Sequence, residues 1–482
     1  MAAPMLIDAP FPVRSTATPQ TAVAMEQAIS RPAEVRAIQR LVLVIFWLLI
    51  MEGALRKWML PGYSHILFFI RDPFVLLVYW YALRGGLFKR PSPFLVAGLV
   101  FAAIAPLLAM IQIAHISDNR MVTIVIYGWR QYFLYLPLPF VIARAVDEKF
   151  LWGFARQVFV AVILTAPLMF VQFHSPASSV LNRGSSEDEA LQFKSGDLYE
   201  DKIRANGFFT STAGVGNIVP AALALALAAW VTPAGRRRIS ILKLVPAVAA
   251  TASCLAFSGS RGAFAAVALV VLSSMLVGLL VRDGGTRLRA LVIPGVVCVI
   301  GAVLYPIVFP DAFETMMARA AITDTFGSGA GSYGIVGRAF HEVYDFVYLM
   351  GDAPFAGYGL GLGGNGRAFL GDESNALLQN AYAESDWQRH IVDLGPLIGV
   401  FFILYRVILT GDLLRRTVVA TVRARDPLPV LLFGYVGIGV FYGQLTGNGT
   451  TGGFLWLFLG LTLASCRLAL ERSEQAANPV AA

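Results

Sequence analysis

The sequence predicts an all-α, polytopic membrane protein of about twelve transmembrane helices with one large outer loop, and three observations predict it. The chain is 57% hydrophobic and only 14% charged over 482 residues, with a mean hydropathy of +0.66, too apolar for a soluble protein of this length. Apolar runs approaching the roughly 20 residues that cross a bilayer recur along the chain. Basic residues collect on alternate connections between those runs, as the positive-inside bias demands.

Taken in order, residues 1–37 are rich in Pro, Ala and Thr and read as a disordered cytoplasmic leader, without the basic start and compact apolar stretch of a signal peptide. Nine spans follow within 38–308, at 38–58, 65–83, 93–114, 121–142, 151–172, 212–232, 242–257, 262–281 and 290–308, with an outer loop at 173–211. The large outer loop covers 309–389; three more spans at 390–410, 428–444 and 453–470 precede a tail at 471–482. Sixteen basic residues lie on one set of connections, among them Arg84, Arg144, Arg236, Arg282, Arg415 and Arg425, against four on the other, Arg56, Lys57, Arg120 and Arg261. This bias puts both termini in the cytoplasm and the large loop outside. The net charge of +8 is therefore topological, and no nucleic-acid partner is implied.

Several ionisable groups fall at membrane depth, where each costs a few kcal/mol and faces a cavity or a partner. Glu52 and Arg56 stand at i, i+4 spacing and read as an internal ion pair. Arg71 and Asp72, a few residues into the second span, are adjacent but on different faces and can line a polar vestibule. Arg130, midway through the fourth span, must meet an acid, a carbonyl cluster, water or an anion. In the second outer loop, Arg204 begins a stretch of small residues and glycines running to Gly216, which lets irregular backbone enter the sixth span. The seventh and eighth spans meet at Phe257-Ser-Gly-Ser-Arg-Gly-Ala263, where Arg261 and the exposed N–H groups of a helix start suit an anion. Cys254, Cys298 and Cys466 lie in apolar spans without metal spacing and read as small buried hydrophobes, with no disulfide and no zinc.

Inside the large loop an amphipathic helix is expected over Gly337–Met350, carrying Arg338 and His341. A glycine run follows from Gly357 to Gly366, and then a charged tail from Glu384 to Asp393. The glycine run lacks the strand-and-helix setting of a dinucleotide fingerprint and reads as a flexible turn that lets backbone approach a glycan. Tyr358, Tyr382 and Trp387 are candidates for stacking on sugar rings, or ordinary interface aromatics.

In this order, the Glu52-Gly-Ala-Leu-Arg-Lys-Trp58 run, Arg71-Asp-Pro73, the Arg204–Gly214 stretch, Ser258-Gly-Ser-Arg-Gly262 and Pro354-Phe-Ala-Gly-Tyr-Gly-Leu-Gly361 resemble the O-antigen ligase and Wzy-type polysaccharide polymerase superfamily. The resemblance covers residues 38–470 and implies a GT-C-like integral membrane glycosyltransferase of the bacterial inner membrane, active at the periplasmic face. It implies undecaprenyl-diphosphate-linked oligosaccharide as donor, an acceptor glycan, the lipid bilayer as setting, and flippase and chain-length or export proteins as partners. The diphosphate role falls on Arg261, and after it on Arg204, Arg338, Arg389 and Arg130. Ligases of this family often carry a His-Asn pair late in the loop; here that region reads Asn380-Ala-Tyr-Ala-Glu-Ser-Asp-Trp-Gln-Arg-His390, which favours a repeat-unit polymerase.

Chemistry agrees with that division of labour. A departing lipid diphosphate needs preorganised cations, and arginine offers a permanent charge in a bidentate fork. The loop holds four arginines, no lysine and ten acids, so any anion there is held by arginines aimed locally or from the membrane side. The acceptor hydroxyl gains from a general base, for which Glu384 ranks first, with Asp386 and His341 behind it. On a helix Asp386 faces His390 and Arg389 faces Asp393, so an ion-pair network is the alternative account of this tail. No cofactor is called for, and no cluster has metal-ligand spacing. The rival functions are a ligase delivering glycan to a lipid or protein and, from another class, a lipid-glycan transporter; paired internal repeats, expected of transporters, are not apparent.

Overall fold

The computed structural model describes residues 32–115, 120–184, 203–233, 238–281, 283–325, 343–364, 383 and 385–477. Its described residues form helices joined by turns. Those of seven residues or more are, in chain order, α1 (Pro32–Ala54), α2 (Asp72–Arg84), α3 (Pro93–His115), α4 (Arg120–Trp129), α5 (Leu138–Ala145), α6 (Glu148–His174), α7 (Thr212–Val231) and α8 (Ile241–Ser258). They continue as α9 (Arg261–Leu280), α10 (Gly284–Val308), α11 (Pro310–Thr325), α12 (Phe346–Asp352), α13 (Asp386–Ala424), α14 (Leu428–Phe441) and α15 (Gly449–Ala477).

Among the described residues, nine helical segments are long and apolar enough to cross a membrane: Pro32–Met59, Pro93–Ile113, α6 to α10, α13 and α15. The other three expected spans are helical but broken or short. The run expected at 65–83 is cut at Arg71-Asp72-Pro73, leaving α2 with 13 residues, because proline favours the first helical turn and denies the preceding turn a donor. The one expected at 121–142 is divided by a π-helical turn, Arg130–Leu134, and by Pro137 at the N-cap of α5. The third, α14, has 14 residues. α1 begins at Pro32, inside the stretch assigned to the leader, with Glu34 in its first turn where a negative charge suits the helix dipole.

Local sequence sets the other boundaries. The Asp147, Ser260 and Asp283 side chains accept from the third residues of α6, α9 and α10, and Ser385 with Gln388 forms a full capping box on α13. Gly395, at φ 78°, and Pro396 kink α13 after its first nine residues.

α7 and α15 are the innermost helices, each 78% buried over its apolar window, whereas α10 is 6% buried and lies outermost. Small residues let helices approach closely where lipid supplies no hydrophobic drive. α7 buries six alanines, and Gly434 of α14 sits against Ser273 of α9. Phe46, Phe154, Phe454 and Phe458 pack together where α1, α6 and α15 meet. Cys254 and Cys466 are buried as expected, but Cys298 is exposed, because α10 turns that face outward from the bundle.

Candidate functional site

Those polar residues singled out above that the structure describes gather at one end of the bundle. Two π-helical turns, Leu55–Met59 after α1 and Arg130–Leu134 after α4, carry Arg56, Lys57 and Arg130 there; such turns widen the helix locally and recur at functional sites. Lys57 is buried and donates to Asn206 Oδ1 (3.2 Å), Gly207 O (2.9 Å) and Phe209 O (2.7 Å). It thus anchors the irregular Ile203–Ser211 backbone that leads into α7, and Gly207 N adds a bond to Gln172 Oε1 at 2.8 Å. Ala205 N donates to Phe257 O at 3.2 Å, which lays the segment bearing Arg204 beside the end of α8, four residues before Arg261.

Glu52 pairs with Arg56 at 3.4 Å, as its spacing implies, and also with Arg71 at 2.9 Å. Arg71 has 0% exposure and donates to Gly449 O at 3.1 Å, while its Nη2 makes no hydrogen bond among the described residues. Arg130 finds an acid and a carbonyl together: it pairs with Asp72, donates to Phe68 O at 3.1 Å, and lies over the Phe68 and Phe69 rings at 4.7 and 4.8 Å.

A second buried cluster surrounds the start of α13. The Asp386 carboxylate accepts from Arg389, from Arg406 at 2.7 Å, and from Leu445 N, Thr446 N and Thr446 Oγ1 at 2.9–3.1 Å. Asp386 and Arg389 therefore bond each other rather than His390 and Asp393, because Arg406, one helical segment away, draws Asp386 inward. Arg406 Nη1 lies 2.9 Å from His390 Nε2; a guanidinium only donates, so Nε2 accepts and the ring carries its proton on Nδ1. That Nδ1 reaches Tyr132 Oη at 3.0 Å, and Tyr132 donates to Asp393 Oδ2 at 3.1 Å.

The described part of the glycine run packs onto this cluster instead of standing open. Tyr358 N donates to Val392 O at 2.7 Å, Gly363 N to Asp393 Oδ1 at 2.8 Å, and Arg389 Nε to Gly363 O at 2.8 Å. Gln112 of α3 bridges the run to α13, donating to Ala356 O and Asp393 O and accepting from Leu360 N. Gly357 and Gly359 to Gly363 are buried, and a Cβ on Gly128 would lie 2.5 Å from Gly361 N. The glycines permit backbone to approach the protein's own helices. Trp387 is likewise committed, donating to Phe441 O at 2.9 Å and packing on Phe346 and Phe441.

Of the candidate residues, Arg130, Arg204, Arg261, Arg389 and Asp386 therefore lie at the same end. Glu384, His341, Arg338 and Tyr382 lie outside the described residues. Arg261 is exposed at the first position of α9, after Gly259 (φ 54°) and the Ser260 cap, and no ion pair holds it among the described residues. Arg389 and Arg130 are matched to carboxylates. Arg71, Arg406, Tyr132 and Glu52 complete the network without having been named as site residues; their signal was an ionisable or hydroxyl group inside an apolar span. The arrangement can accept an anion at its exposed arginine while the buried pairs hold the backbone beneath rigid.

Comparison of the chain with protein-family models, curated proteins and solved structures returned no match.

Proposed function

We propose that this protein is an inner-membrane glycosyltransferase that polymerises undecaprenyl-diphosphate-linked oligosaccharide repeat units into an exopolysaccharide or O-antigen at the periplasmic face. The observation that carries the reading is the convergence of separate arginine-bearing segments, the first hairpin, the Arg204 stretch, the Arg261 turn and the start of α13, at one end of the bundle. The opposite end carries Arg84, Lys89, Arg144, Lys149, Arg415, Arg416, Arg423 and Arg425, which by the positive-inside bias faces the cytoplasm. Twelve passes, two of them through interrupted helices and one through the short α14, then bring both termini to the cytoplasm and the Arg261 end to the periplasm.

Roles follow from how each side chain is already engaged. Arg261, exposed and without an acid among the described residues, clamps the diphosphate, with Arg204 beside it and Arg338 from the outer loop. Arg130 and Arg389, each matched to a carboxylate, hold the floor of the site. Asp386, with five donors on two oxygens, is a poor proton acceptor, so the general base is Glu384 of the same loop, with His341 behind it. Charge that builds on the leaving diphosphate is stabilised by guanidinium already in place, in a setting poorer in water than bulk.

The test is the size distribution of surface and secreted glycan from a deletion strain complemented with wild type or Arg261→Ala, with membrane levels of each followed by immunoblot. Single repeat units in the deletion and the mutant, and long chains with wild type, are expected. Long polymer accumulating on the lipid carrier would identify a ligase acting on a lipid or protein acceptor, and repeat units trapped on the cytoplasmic side would identify a transporter.

A further inference from the structure

A cleft of about 520 Å³ opens at the other, basic end of the bundle, between the turn after α2 and helices α3, α5, α13 and α15. Its floor is apolar, formed by Leu87, Phe88, Leu95, Phe140, Leu413 and Leu463. Its charged lining is four arginines against three carboxylates, and these are unequally engaged. Arg144 donates to Leu87 O and Arg90 O. Arg467 is committed to Ala143 O, Val146 O and Glu471, and Glu474 sits exposed at the rim. Arg415 and Arg416, by contrast, share the single carboxylate of Asp412, at 2.9 and 2.5 Å. Two guanidinia thus answer to one acid, with side chains 69% and 48% exposed. Their remaining donors meet no acceptor among the described residues.

We propose that this cleft binds an anionic glycerophospholipid, its phosphodiester on Arg415 and Arg416 and an acyl chain on the apolar floor. A guanidinium fork matches phosphate oxygens in number and spacing, and basic recesses between membrane helices take anionic head groups by this chemistry. A soluble phosphate would satisfy the arginines and leave the floor uncovered; a zwitterionic lipid would cover the floor but bring its own cation to the arginines. The anionic lipid answers both halves of the lining. This site is separate from the Arg261 end and does not depend on the activity proposed there.

The test is native mass spectrometry of the delipidated full-length protein titrated with dioleoyl phosphatidylglycerol or dioleoyl phosphatidylcholine. Phosphatidylglycerol is expected to be retained about tenfold more strongly, because both lipids offer the phosphodiester but only phosphatidylcholine brings a quaternary ammonium up against the two guanidinia. Arg415→Gln with Arg416→Gln should erase that preference, whereas Arg238→Gln, at an exposed pair elsewhere on the same end, should leave it intact. Leu463→Trp, which fills the floor and keeps the charges, should lower retention of both lipids. Equal retention of the two lipids by wild type, or an unchanged preference in the double variant, overturns the proposal. Displacement of phosphatidylglycerol by glycerol 3-phosphate at equal concentration overturns it in favour of a soluble phosphate. The readout is lipid bound to intact protein, so loss of glycan polymerisation would not affect it.

Discussion

The two ends of the bundle use the same residue, arginine, under opposite physical conditions. At the polar end, Arg71 and Arg406 are fully buried and meet acids supplied by other stretches of chain: Glu52 for Arg71, Asp386 for Arg406, and likewise Asp72 for Arg130. At the basic end Arg415, Arg416 and Arg467 pair within one helical turn, and the longer-range pairs Arg238–Glu148 and Arg472–Asp426 remain partly exposed. A buried pair stabilises only as a unit, because removing one partner leaves a charge with neither water nor counter-ion and costs about 3–5 kcal/mol. An exposed pair is worth roughly 0.2–1 kcal/mol and fades with salt. The polar end is thus built to hold a geometry, the basic end to present charge.

The sharpest way to break this contrast is Arg406→Ala. Asp386 would lose its partner from across the α13 kink and His390 its donor, so a loss of about 3–5 kcal/mol is expected, read as a large drop in the thermal midpoint of the detergent-purified protein. A loss under about 1 kcal/mol would mean that the buried pairs behave like exposed ones, and the comparison would fail.

Gly395→Ala comes next. Its φ of 78° disfavours any side chain, and a Cβ there would lie 2.0 Å from Phe355 O. Strain of about 1–3 kcal/mol is expected from the backbone alone, together with faster proteolysis of the glycine run as it lifts from α13. Gly411→Ala, in the same helix with open space around it, should be neutral or slightly stabilising; equal effects at both positions would refute the close-packing account.

At the basic end, Arg238→Ala should cost no more than about 1 kcal/mol, and raising salt should abolish even that difference. Arg406→Ala measured in parallel should keep its deficit at high salt, since buried pairs are poorly screened.

The smallest effect on stability is expected for Arg261→Ala, within about 0.5 kcal/mol of wild type, as for a surface change touching no special feature. Its effect on product should be large, about 100-fold or more in polymerisation rate if the guanidinium meets the leaving diphosphate. A variant that is stable and fully active would remove Arg261 from the site; one that is unstable would make it another framework arginine.

Much of this architecture could be read in the chain. The class, the placement of nine spans and the sorting of basic residues to alternate connections all follow from composition averaged over about 20 residues. The Glu52–Arg56 pair was legible because both partners lie within one turn. Reading failed where the partner is remote. Asp386 and Arg389 read as an i, i+4 network with His390 and Asp393, but Arg406, 20 positions on, and the backbone of Leu445 and Thr446 take the Asp386 carboxylate. The glycine run read as an open turn because nothing in its own residues announces that Gln112, Gly128 and Asp393 receive it.

By itself, then, the sequence determined that the chain enters a membrane, how often apolar segments recur and which connections carry positive charge, since each depends on free energies that add residue by residue along the chain. Only the tertiary structure decided which buried charges neutralise one another, which proline-bearing segments stop short of spanning, and which arginine is left exposed. Pairing a buried charge depends on distance and on the exclusion of water, and both are properties of helices brought together from distant parts of the chain.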